Sequence, residues 1–367
     1  MINFEDFIQI LKKKKINFFT GVPDSILKIF SNYLQEIDKK KHILAVNEGN
    51  AVSIAAGNYL ATGKLPCVYL QNSGLGNSIN PLVSLTHEKV YSIPIFLLIG
   101  WRGSPFKNDE PQHNEMGRLT PKILKLLNIK YCILKKKTDL KKVEKLITFS
   151  VKNKRPVAAL IPPDIFSSNK IKKMKPIKKK SGIETKYFIN SLLSILKKNS
   201  KIISSTGYTS RYLLKARKDS KKYFGTDFYL VGSMGHTSSI SLGYSIKSKK
   251  NIICLDGDGS MLMHLGATFT LVNNSKKNIK YILLNNNLHE SVGTQKTEVN
   301  KIDLKLFSKA VGFSEYVKIS NKRELSKLKK INLNKKIFFE ITINNPSHIK
   351  LPRPQNLKNI KKLFMLK

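Results

Sequence analysis

Short runs of β-branched and other apolar residues alternate with helical stretches along almost the whole chain, and this alternation constrains the fold more than any other feature. Strands separated by helices are typical of parallel sheets, because a parallel pair needs a crossover connection. The predicted strands are residues 16–20, 43–46, 66–71, 95–99, 131–134 and 157–161 in the first half, and 201–205, 228–231, 251–255, 281–285 and 338–343 in the second. Helices are predicted between them, for example at 24–37 and 51–62. The sequence therefore predicts an α/β protein.

A lysine-rich segment at residues 167–180 separates the two sets of strands. It has no apolar periodicity, which is typical of a solvated linker. At roughly 100–200 residues per domain, the length of the chain also favours two domains over one. We therefore predict a first domain at 1–166, a basic linker at 167–183 and a second domain at 184–367, each a mostly parallel sheet flanked by helices.

The formal net charge of +42 raises a different class of function, a basic nucleic-acid-binding protein on an α/β scaffold. Of the 66 basic residues, however, 59 are lysines and 7 are arginines. Nucleic-acid readers typically place arginine at base edges, and a clustered arginine–aromatic surface would support that class. Because the lysines here are scattered, we interpret them as solvated faces of a compositionally biased chain, and we expect no nucleic-acid partner. Their field still attracts anionic substrates.

Membrane, secreted and disulfide-stabilised proteins are also disfavoured. No run approaches the ~20 uninterrupted apolar residues of a membrane helix. The first fifteen residues carry acids early and show no secretory signal pattern. The three cysteines, Cys67, Cys132 and Cys254, are far apart and lack metal-ligand spacing. We therefore expect a cytoplasmic protein that contacts no membrane.

The most specific segment for function is residues 254–287. A hydrophobic strand runs into Gly257-Asp258-Gly259-Ser260, a helix follows, and a second strand runs into an asparagine triplet, 285–287. Both strand ends lie at the carboxyl edge of a parallel sheet, where ligands bind in such folds. The glycines allow close backbone approach, a helix beginning just after Ser260 would offer N–H groups to phosphate, and Asp258 with an asparagine oxygen suits Mg²⁺. The alternative is two ordinary strand-to-helix turns.

The spacing of this segment resembles that of thiamine-diphosphate enzymes. Gly257-Asp258-Gly259 is followed, after twenty-six residues, by Asn286. The resemblance implies thiamine diphosphate and Mg²⁺ as cofactors. It also implies that Asp258, Asn286 and the backbone carbonyl of Leu288 are the metal ligands.

The first half carries the partner motif of the same family. Glu48 lies in the segment 46–50 (VNEGN), after a predicted strand and before the small-residue helix 51–62. By the resemblance, Glu48 protonates a ring nitrogen of the cofactor pyrimidine. The alternative is a glutamate at a helix N-terminus, where the helix dipole favours it.

Further segments resemble the phosphonopyruvate and sulfopyruvate decarboxylases. These are residues 21–25 (GVPDS), 70–77 (LQNSGLGN), 109–113 (DEPQH), 232–236 (GSMGH) and 289–295 (HESVGTQ). The resemblance implies a pyrimidine-binding domain at 1–166 and a diphosphate-binding domain at 184–367, with no room for the central third domain of larger relatives. Two departures concern loop geometry: Asn287 replaces a usual glycine, and Lys296 a common proline.

The activity that this resemblance implies is the decarboxylation of 3-phosphonopyruvate to phosphonoacetaldehyde and CO₂ in phosphonate biosynthesis. Sulfopyruvate, or another 2-oxo acid, is the alternative substrate. The substrate is therefore expected to be a small anionic 2-oxo acid.

The remaining site residues are carried over from the resemblance. The expected cofactor contacts are Glu48, Ser73, Thr206, Gly207, Ser233, Met234, Gly257, Asp258, Gly259, Ser260 and Asn286. Met234 would hold the cofactor in its bent form. The expected catalytic residues are Glu48, His113, His289 and Asp24, with His236 as a further candidate, while His87 and His264 are interpreted as structural. The residues closest to the motifs that could clamp a phosphonate are Arg118 and Lys296, although either also fits a surface role.

The distribution of the motifs also predicts an oligomer. One cofactor has to reach both Glu48 in the first half and Asp258 in the second. In the resembling family, the two contributing domains come from different chains. We therefore expect a homodimer or a higher homo-oligomer with active sites at the chain interface.

Overall fold

The computed structural model describes residues 1–168, 182–220, 223–276, 278–290, 295–344 and 351–366. It divides into two compact units, Met1–Lys175 and Pro176–Lys367. Most of the predicted linker, residues 169–181, lies outside the described ranges. At its two ends, Ser167 pairs with Asn3 in the first unit and Ile183 bridges to Ile343 in the second.

The first unit contains one large and one small parallel sheet. Its strands are β1 (Ile2–Asn3), β2 (Phe19–Gly21), β3 (His42–Leu44), β4 (Cys67–Gln71), β5 (Phe96–Gly100), β6 (Lys130–Ile133), β7 (Val157–Ile161) and β8 (Phe166–Ser167). The large sheet has the order β3-β2-β4-β5-β7-β6, and β1 pairs with β8. Every residue of β5 and β7 is buried, as expected for central strands covered on both faces.

Helices cover both faces of this sheet. They are α1 (Phe4–Lys13), α2 (Lys28–Glu36), α3 (Glu48–Thr62), α4 (Leu75–Pro81), α5 (Pro111–Leu126) and α6 (Leu140–Asn153). Local signals set their ends. In α3, the side chain of Asn47 accepts a hydrogen bond from the Asn50 N–H, and Gly63 ends the helix with φ of 66°. Two apolar clusters result, one centred on Phe7, Phe30 and Phe96, the other on Val52, Leu70 and Leu97.

The second unit has a single parallel sheet with the same strand order. Its strands are β9 (Lys201–Ser204), β10 (Thr226–Tyr229), β11 (Ile252–Gly257), β12 (Ile279–Asn285), β13 (Glu315–Ile319) and β14 (Ile337–Thr342). They are arranged β10-β9-β11-β12-β14-β13. When the strands of each large sheet are numbered in their order along the chain, both sheets therefore have the order 2-1-3-4-6-5. The two halves repeat one topology although no short repeat is visible in the sequence.

The helices of the second unit again pack against both faces of the sheet. They are α7 (Thr185–Ser194), α8 (Tyr208–Asp219), α9 (Thr237–Lys247), α10 (Asp258–Met263), α11 (Gly266–Asn274), α12 (Leu304–Val311) and α13 (Leu357–Leu366). One apolar cluster contains Phe188, Leu213 and Phe339, and the other contains Tyr281 and Phe338. In the described ranges, none of the helices combines the length and the apolar character needed to cross a bilayer.

This strand order positions the loops that carry the motifs. In each large sheet the first and third strands are neighbours, and the connections that leave them run toward opposite sides of the sheet. Loops at such a switch point part at the carboxyl edge and leave a crevice for a ligand. The switch lies between β2 and β4 in the first unit, and between β9 and β11 in the second.

The predicted α/β fold with parallel sheets is confirmed, and each predicted strand overlaps an observed one. Strand β13 was missed because it alternates buried and exposed residues at a sheet edge, without a continuous apolar run. The helix predicted at 24–37 was drawn too long, since α2 begins at Lys28 and the preceding residues form a turn. The helix predicted at 51–62 was drawn too short, since α3 begins at Glu48.

Two glycines of the first unit provide a matched test of its packing. A Cβ added at Gly21 would lie 2.0 Å from the carbonyl oxygen of Tyr69 on the neighbouring strand, whereas a Cβ at Gly57, within α3, would meet nothing within 4 Å. We expect Gly21→Ala to lower the free energy of unfolding by about 1–3 kcal/mol, because the strands must separate. Gly57→Ala should raise it by about 0.5–1 kcal/mol. Denaturant unfolding measures both, and equal effects would contradict the strand pairing.

Candidate active site

Glu48 is buried at the carboxyl edge of the first sheet. It is the first residue of α3, and 4% of it is exposed. Its Oε2 accepts a hydrogen bond of 2.8 Å from Asn77 Nδ2. A Cβ at Gly74, just after β4, would lie 2.0 Å from Glu48 Oε1. The glycine of the motif at residues 70–77 is therefore required by the space that the carboxylate occupies.

The surroundings of Glu48 favour retention of its proton. Burial raises the pKa of this carboxyl above its ordinary value, and the hydrogen bond from Asn77 lowers it only in part. A carboxyl with a raised pKa can donate a proton near neutral pH, as a group that protonates a ring nitrogen must.

Asp24 is a second buried acid at the same edge. It lies in the turn between β2 and α2 and is fully buried. A Cβ at Gly100, the last residue of β5, would come within 1.7 Å of Asp24 Oδ2. Neither carboxylate oxygen has a hydrogen-bond partner of normal geometry among the described residues. Burial raises the pKa of Asp24 to about 6, although nearby backbone N–H groups and the charge of Arg102 lower it in part.

The loop after β5 holds an ionic cluster around Asp109. The guanidinium of Arg102 donates to both Asp109 oxygens, through Nε and Nη2, each at 2.5 Å. The Nδ1 of His113 lies 3.0 Å from Asp109 Oδ1. Burial would raise the pKa of Asp109, but the hydrogen bonds from Arg102 and His113 bring it down to about 2. Asp109 thus stays ionised and holds the ring of His113 through its Nδ1.

In the second unit, Asp258 is buried at the start of α10. It is 4% exposed, and its Oδ2 accepts a hydrogen bond of 2.7 Å from Thr297 Oγ1. Burial raises the pKa of Asp258 to about 6, and the groups that oppose this shift are the Thr297 hydroxyl and backbone N–H groups, including those of Gly259 and Asn287. None of these is a cation. A buried carboxylate without a cationic partner fits a metal ligand, since a bound cation would offset its charge.

The loop after β12 supplies neutral oxygens beside Asp258. Asn286 Oδ1 accepts from the Leu288 N–H at 2.9 Å, and Asn286 Nδ2 donates to Glu290 Oε2 at 2.9 Å. Leu288 forms an antiparallel bridge with Lys296. The ladder bonds on either side use the Asn287 carbonyl and the His289 N–H, so neither of them uses the Leu288 carbonyl.

This loop also explains a departure from the family pattern. Asn287, where glycine is usual, has a φ of 58°. Glycine adopts this left-handed conformation without strain, and asparagine is among the few other residues that tolerate it. The substitution therefore keeps the turn that carries Asn286.

In the described ranges, no three or more His, Cys, Asp or Glu side chains gather as a metal cluster. A site here would use one carboxylate, an amide oxygen and a backbone carbonyl. Such a site suits Mg²⁺, which keeps several waters and takes phosphate oxygens in place of a full protein cage.

The loops after β10 and β12 converge on Gly259, in the first turn of α10. A Cβ at this position would lie 2.8 Å from the ring of His289 and 3.4 Å from Met234 Cε. Ser260 Oγ accepts from the Gly235 N–H at 3.0 Å, which ties the loop after β10 to α10. Burial lowers the pKa of His289 to about 4, so its ring is neutral at neutral pH. The predicted Met234, Gly259, Ser260 and His289 therefore lie together.

The helix after the glycine motif begins earlier than predicted. It was expected just after Ser260, but α10 begins at Asp258, because the strand ends at Gly257 with extended backbone. Phosphate could instead approach the longer helix α8, which begins after Gly207. That glycine has a φ of 81°, a conformation that favours glycine, beside Thr206 at the end of β9.

Other predicted residues occupy less informative positions. Ser73 is exposed and accepts a hydrogen bond from Gln71. Ser233 is exposed with a φ of 51°. The ring of His236 lies 4.7 Å from that of His264. His264, which the sequence analysis interprets as structural, therefore adjoins the loop that carries Met234.

The two clamp candidates lie at the surface. Arg118 is exposed and pairs with Glu115, one turn earlier in α5. Lys296 is exposed and forms a bridge with Leu288. Sequence reasoning missed Arg102 and Thr297, and it quoted Asp109 without a role. The available signal for Arg102 was its place two residues after the end of the apolar strand β5.

Residues 3–121 match the N-terminal TPP-binding domain of thiamine pyrophosphate enzymes, and residues 204–339 match the C-terminal TPP-binding domain. Phosphonopyruvate decarboxylase of Streptomyces viridochromogenes is 30% identical over 331 aligned positions, which cover 85% of this chain and 81% of that protein. The chain belongs to the thiamine-diphosphate-dependent decarboxylases.

Sulfopyruvate decarboxylase of Methanosarcina acetivorans is equally similar, with 30% identity over 95% of this chain and 92% of that protein. Sulfopyruvate decarboxylase subunit alpha of Methanococcus maripaludis is 36% identical over 40% of this chain and 86% of that protein. The family, the two-domain fold, the enzyme class and thiamine diphosphate as cofactor are therefore confirmed. That relative is named as one subunit of its enzyme.

The burial of Asp258 yields a binding prediction. We expect Asp258→Ala to abolish binding of thiamine diphosphate in the presence of Mg²⁺, because the metal expected to neutralise the diphosphate would lose the carboxylate of Asp258. Isothermal titration calorimetry measures this affinity. The matched control is Asp219→Ala in the same unit, where Asp219 is 42% exposed and paired with Lys215. Equal affinity of the Asp258 variant and the wild type would remove Asp258 from the metal site.

Proposed function

We propose that the chain catalyses the thiamine-diphosphate- and Mg²⁺-dependent decarboxylation of 3-phosphonopyruvate to phosphonoacetaldehyde and CO₂, a step of phosphonate biosynthesis. The observation that carries the proposal is the presence in one chain of buried Glu48 and buried Asp258, each in the motif of its domain. The similarity to a phosphonopyruvate decarboxylase supports this substrate. Sulfopyruvate is the second candidate, because a sulfopyruvate decarboxylase matches at equal identity over more of the chain.

The reaction breaks the bond between C1 and C2 of the substrate, and a proton takes the place of the departing CO₂ on C2. When bound, thiamine diphosphate supplies an electron sink for the pair left on C2. The residues proposed to hold it are Thr206, Gly207, Ser233, Gly257 and Ser260 near the diphosphate, with Ser73 and Glu48 near the pyrimidine. Asp258, Asn286 and the Leu288 carbonyl would hold the metal.

Glu48 is proposed to keep its proton on the carboxyl and to share it with the pyrimidine nitrogen. Two observations support this role: the hydrogen bond from Asn77 fixes one carboxyl oxygen, and burial raises the pKa of the carboxyl. Met234 is proposed to support the bent cofactor. The position of its side chain beside Gly259 supports that assignment. Gly259 leaves the room that this approach requires.

The remaining catalytic residues would handle protons and orient the substrate. His113, fixed by Asp109, and His289, neutral by burial, are suited to accept or pass a proton. Asp24, with a pKa of about 6, changes protonation state close to neutral pH and is proposed to face the leaving carboxylate. His236 remains a further candidate.

The chemistry also motivates a proposal about assembly. One cofactor must contact Glu48 and Asp258, which lie in different units of the chain. We therefore retain the assignment of a pyrimidine-binding domain at 1–166 and a diphosphate-binding domain at 184–367. We propose that the two domains serving one cofactor come from two copies of the chain, in a homodimer or higher homo-oligomer.

The substrate assignment is tested by CO₂ release. Wild-type protein should release CO₂ from 3-phosphonopyruvate only with thiamine diphosphate and Mg²⁺, and more slowly from sulfopyruvate. Glu48→Gln should bind the cofactor but lose a factor of about 10²–10⁴ in turnover, since the amide cannot donate the proton. Faster turnover of sulfopyruvate would reverse the substrate order. Near-normal turnover by the variant would remove Glu48 from the mechanism.

Shared sites are tested by complementation. Inactive Glu48→Gln and Asp258→Ala proteins, mixed under conditions that exchange subunits, should regain activity, because some mixed dimers contain one intact site. The activity of a mixture of Glu48→Gln with itself gives the baseline. Mass spectrometry of isotopically labelled chains verifies the exchange. No recovery despite exchange, or an active monomer in light scattering, would show that each chain builds its site alone.

A further inference from the structure

The guanidinium of Arg102 is held in one orientation at the carboxyl edge of the first sheet. Its side chain is 16% exposed, and two of its nitrogens form a fork with the Asp109 carboxylate. A fork of this kind fixes the plane of the guanidinium as well as its position. Nη1 lies outside the fork and comes within 3.5 Å of Ser25 Oγ.

Arg102 retains donors for a ligand after this pairing. A guanidinium has five N–H groups; the fork with Asp109 uses two of them and the contact of Nη1 with Ser25 Oγ a third, which leaves two. The charge of Asp109 is further shared by the N–H groups of Gly103, at 3.3 Å, and Glu110, at 2.9 Å. Asp109 thus holds the guanidinium of Arg102 in place, while backbone N–H groups also donate to its carboxylate. The positive charge of Arg102 also acts on the loop after β2, where it lowers in part the pKa of Asp24.

The geometry points to Arg102 as the residue that binds the acidic group on C3 of the substrate, a phosphonate or a sulfonate, with the Ser25 hydroxyl as a second donor. This inference rests on the proposed function, and it names the specificity-determining residue of that site. Guanidinium groups with a fixed plane are suited to the tetrahedral oxyanions of phosphonate and sulfonate, which accept paired N–H donors.

Arg102 meets the requirements of such a clamp better than the two candidates from sequence. Arg118 is 58% exposed and its carboxylate partner Glu115 is 67% exposed, so solvent screens the pair. Lys296 is exposed and presents a point charge without a planar fork. Arg102, in contrast, adjoins Asp24 and His113, which the proposed mechanism places beside the substrate.

Steady-state kinetics of the loaded enzyme test the clamp. We expect Arg102→Gln to raise KM for 3-phosphonopyruvate on the order of 10–100-fold, with a smaller change in kcat, because a charge-assisted contact to the bound anion is lost. Arg102→Lys, which keeps the charge but not the fork, should recover part of this loss. The matched control Arg118→Gln should change KM less than about twofold, as expected for an exposed pair. The same series with sulfopyruvate shows which anion the clamp serves.

A binding measurement separates this inference from the proposed function. Phosphonoacetate and sulfoacetate carry the acidic group but no 2-oxo group, so calorimetry reports their affinity without turnover. Wild-type protein that decarboxylates neither acid but binds phosphonoacetate through Arg102 would refute the proposed reaction and keep the clamp. Unchanged KM and unchanged phosphonoacetate affinity in Arg102→Gln would overturn the clamp. Should that variant fail to fold, Arg102→Lys decides by the same two measurements.

Discussion

The burial of carboxylates at the carboxyl edges of two parallel sheets is the constraint on which the rest of this structure depends. Removing an ionised carboxylate from water costs far more than one neutral hydrogen bond returns. Glu48 and Asp258 are nevertheless almost fully buried, and each accepts a hydrogen bond from one neutral side chain, Asn77 or Thr297. Such groups are tolerated where a proton, a metal ion or a ligand supplies the missing charge. The burial of Glu48 and Asp258 therefore favours the binding of a proton, a metal ion or a ligand at each of them.

The folding of the chain provides the space for these carboxylates. Gly74 and Gly100 have no side chain where Glu48 and Asp24 need room, and Gly259 leaves room for His289 and Met234. All three follow or end strands near the centre of the large sheets. Because both large sheets have the same strand order, the crevice lies at the equivalent edge of each unit.

The sequence predicted the parts of this protein that depend on local pattern. Buried strands such as β5 and β7 are continuous apolar runs, and Glu48, Asp258 and Asn286 lie in motifs with fixed spacing. The half-exposed edge strand β13 has no such signal, and its place in the sheet comes from pairing with β14. The roles of Arg102 and Thr297 depend on contacts with Asp109 and Asp258. Such contacts across the fold leave no periodic trace in the sequence.

We propose that the two buried carboxylates serve one thiamine diphosphate. The decisive measurement is a crystal structure of the protein with thiamine diphosphate and Mg²⁺. We expect Mg²⁺ at about 2.1 Å from oxygens of Asp258, Asn286 and Leu288, and a Glu48 oxygen within hydrogen-bond distance of the pyrimidine ring. A metal bound by other residues, or a pyrimidine ring that contacts no Glu48 carboxylate, would contradict it.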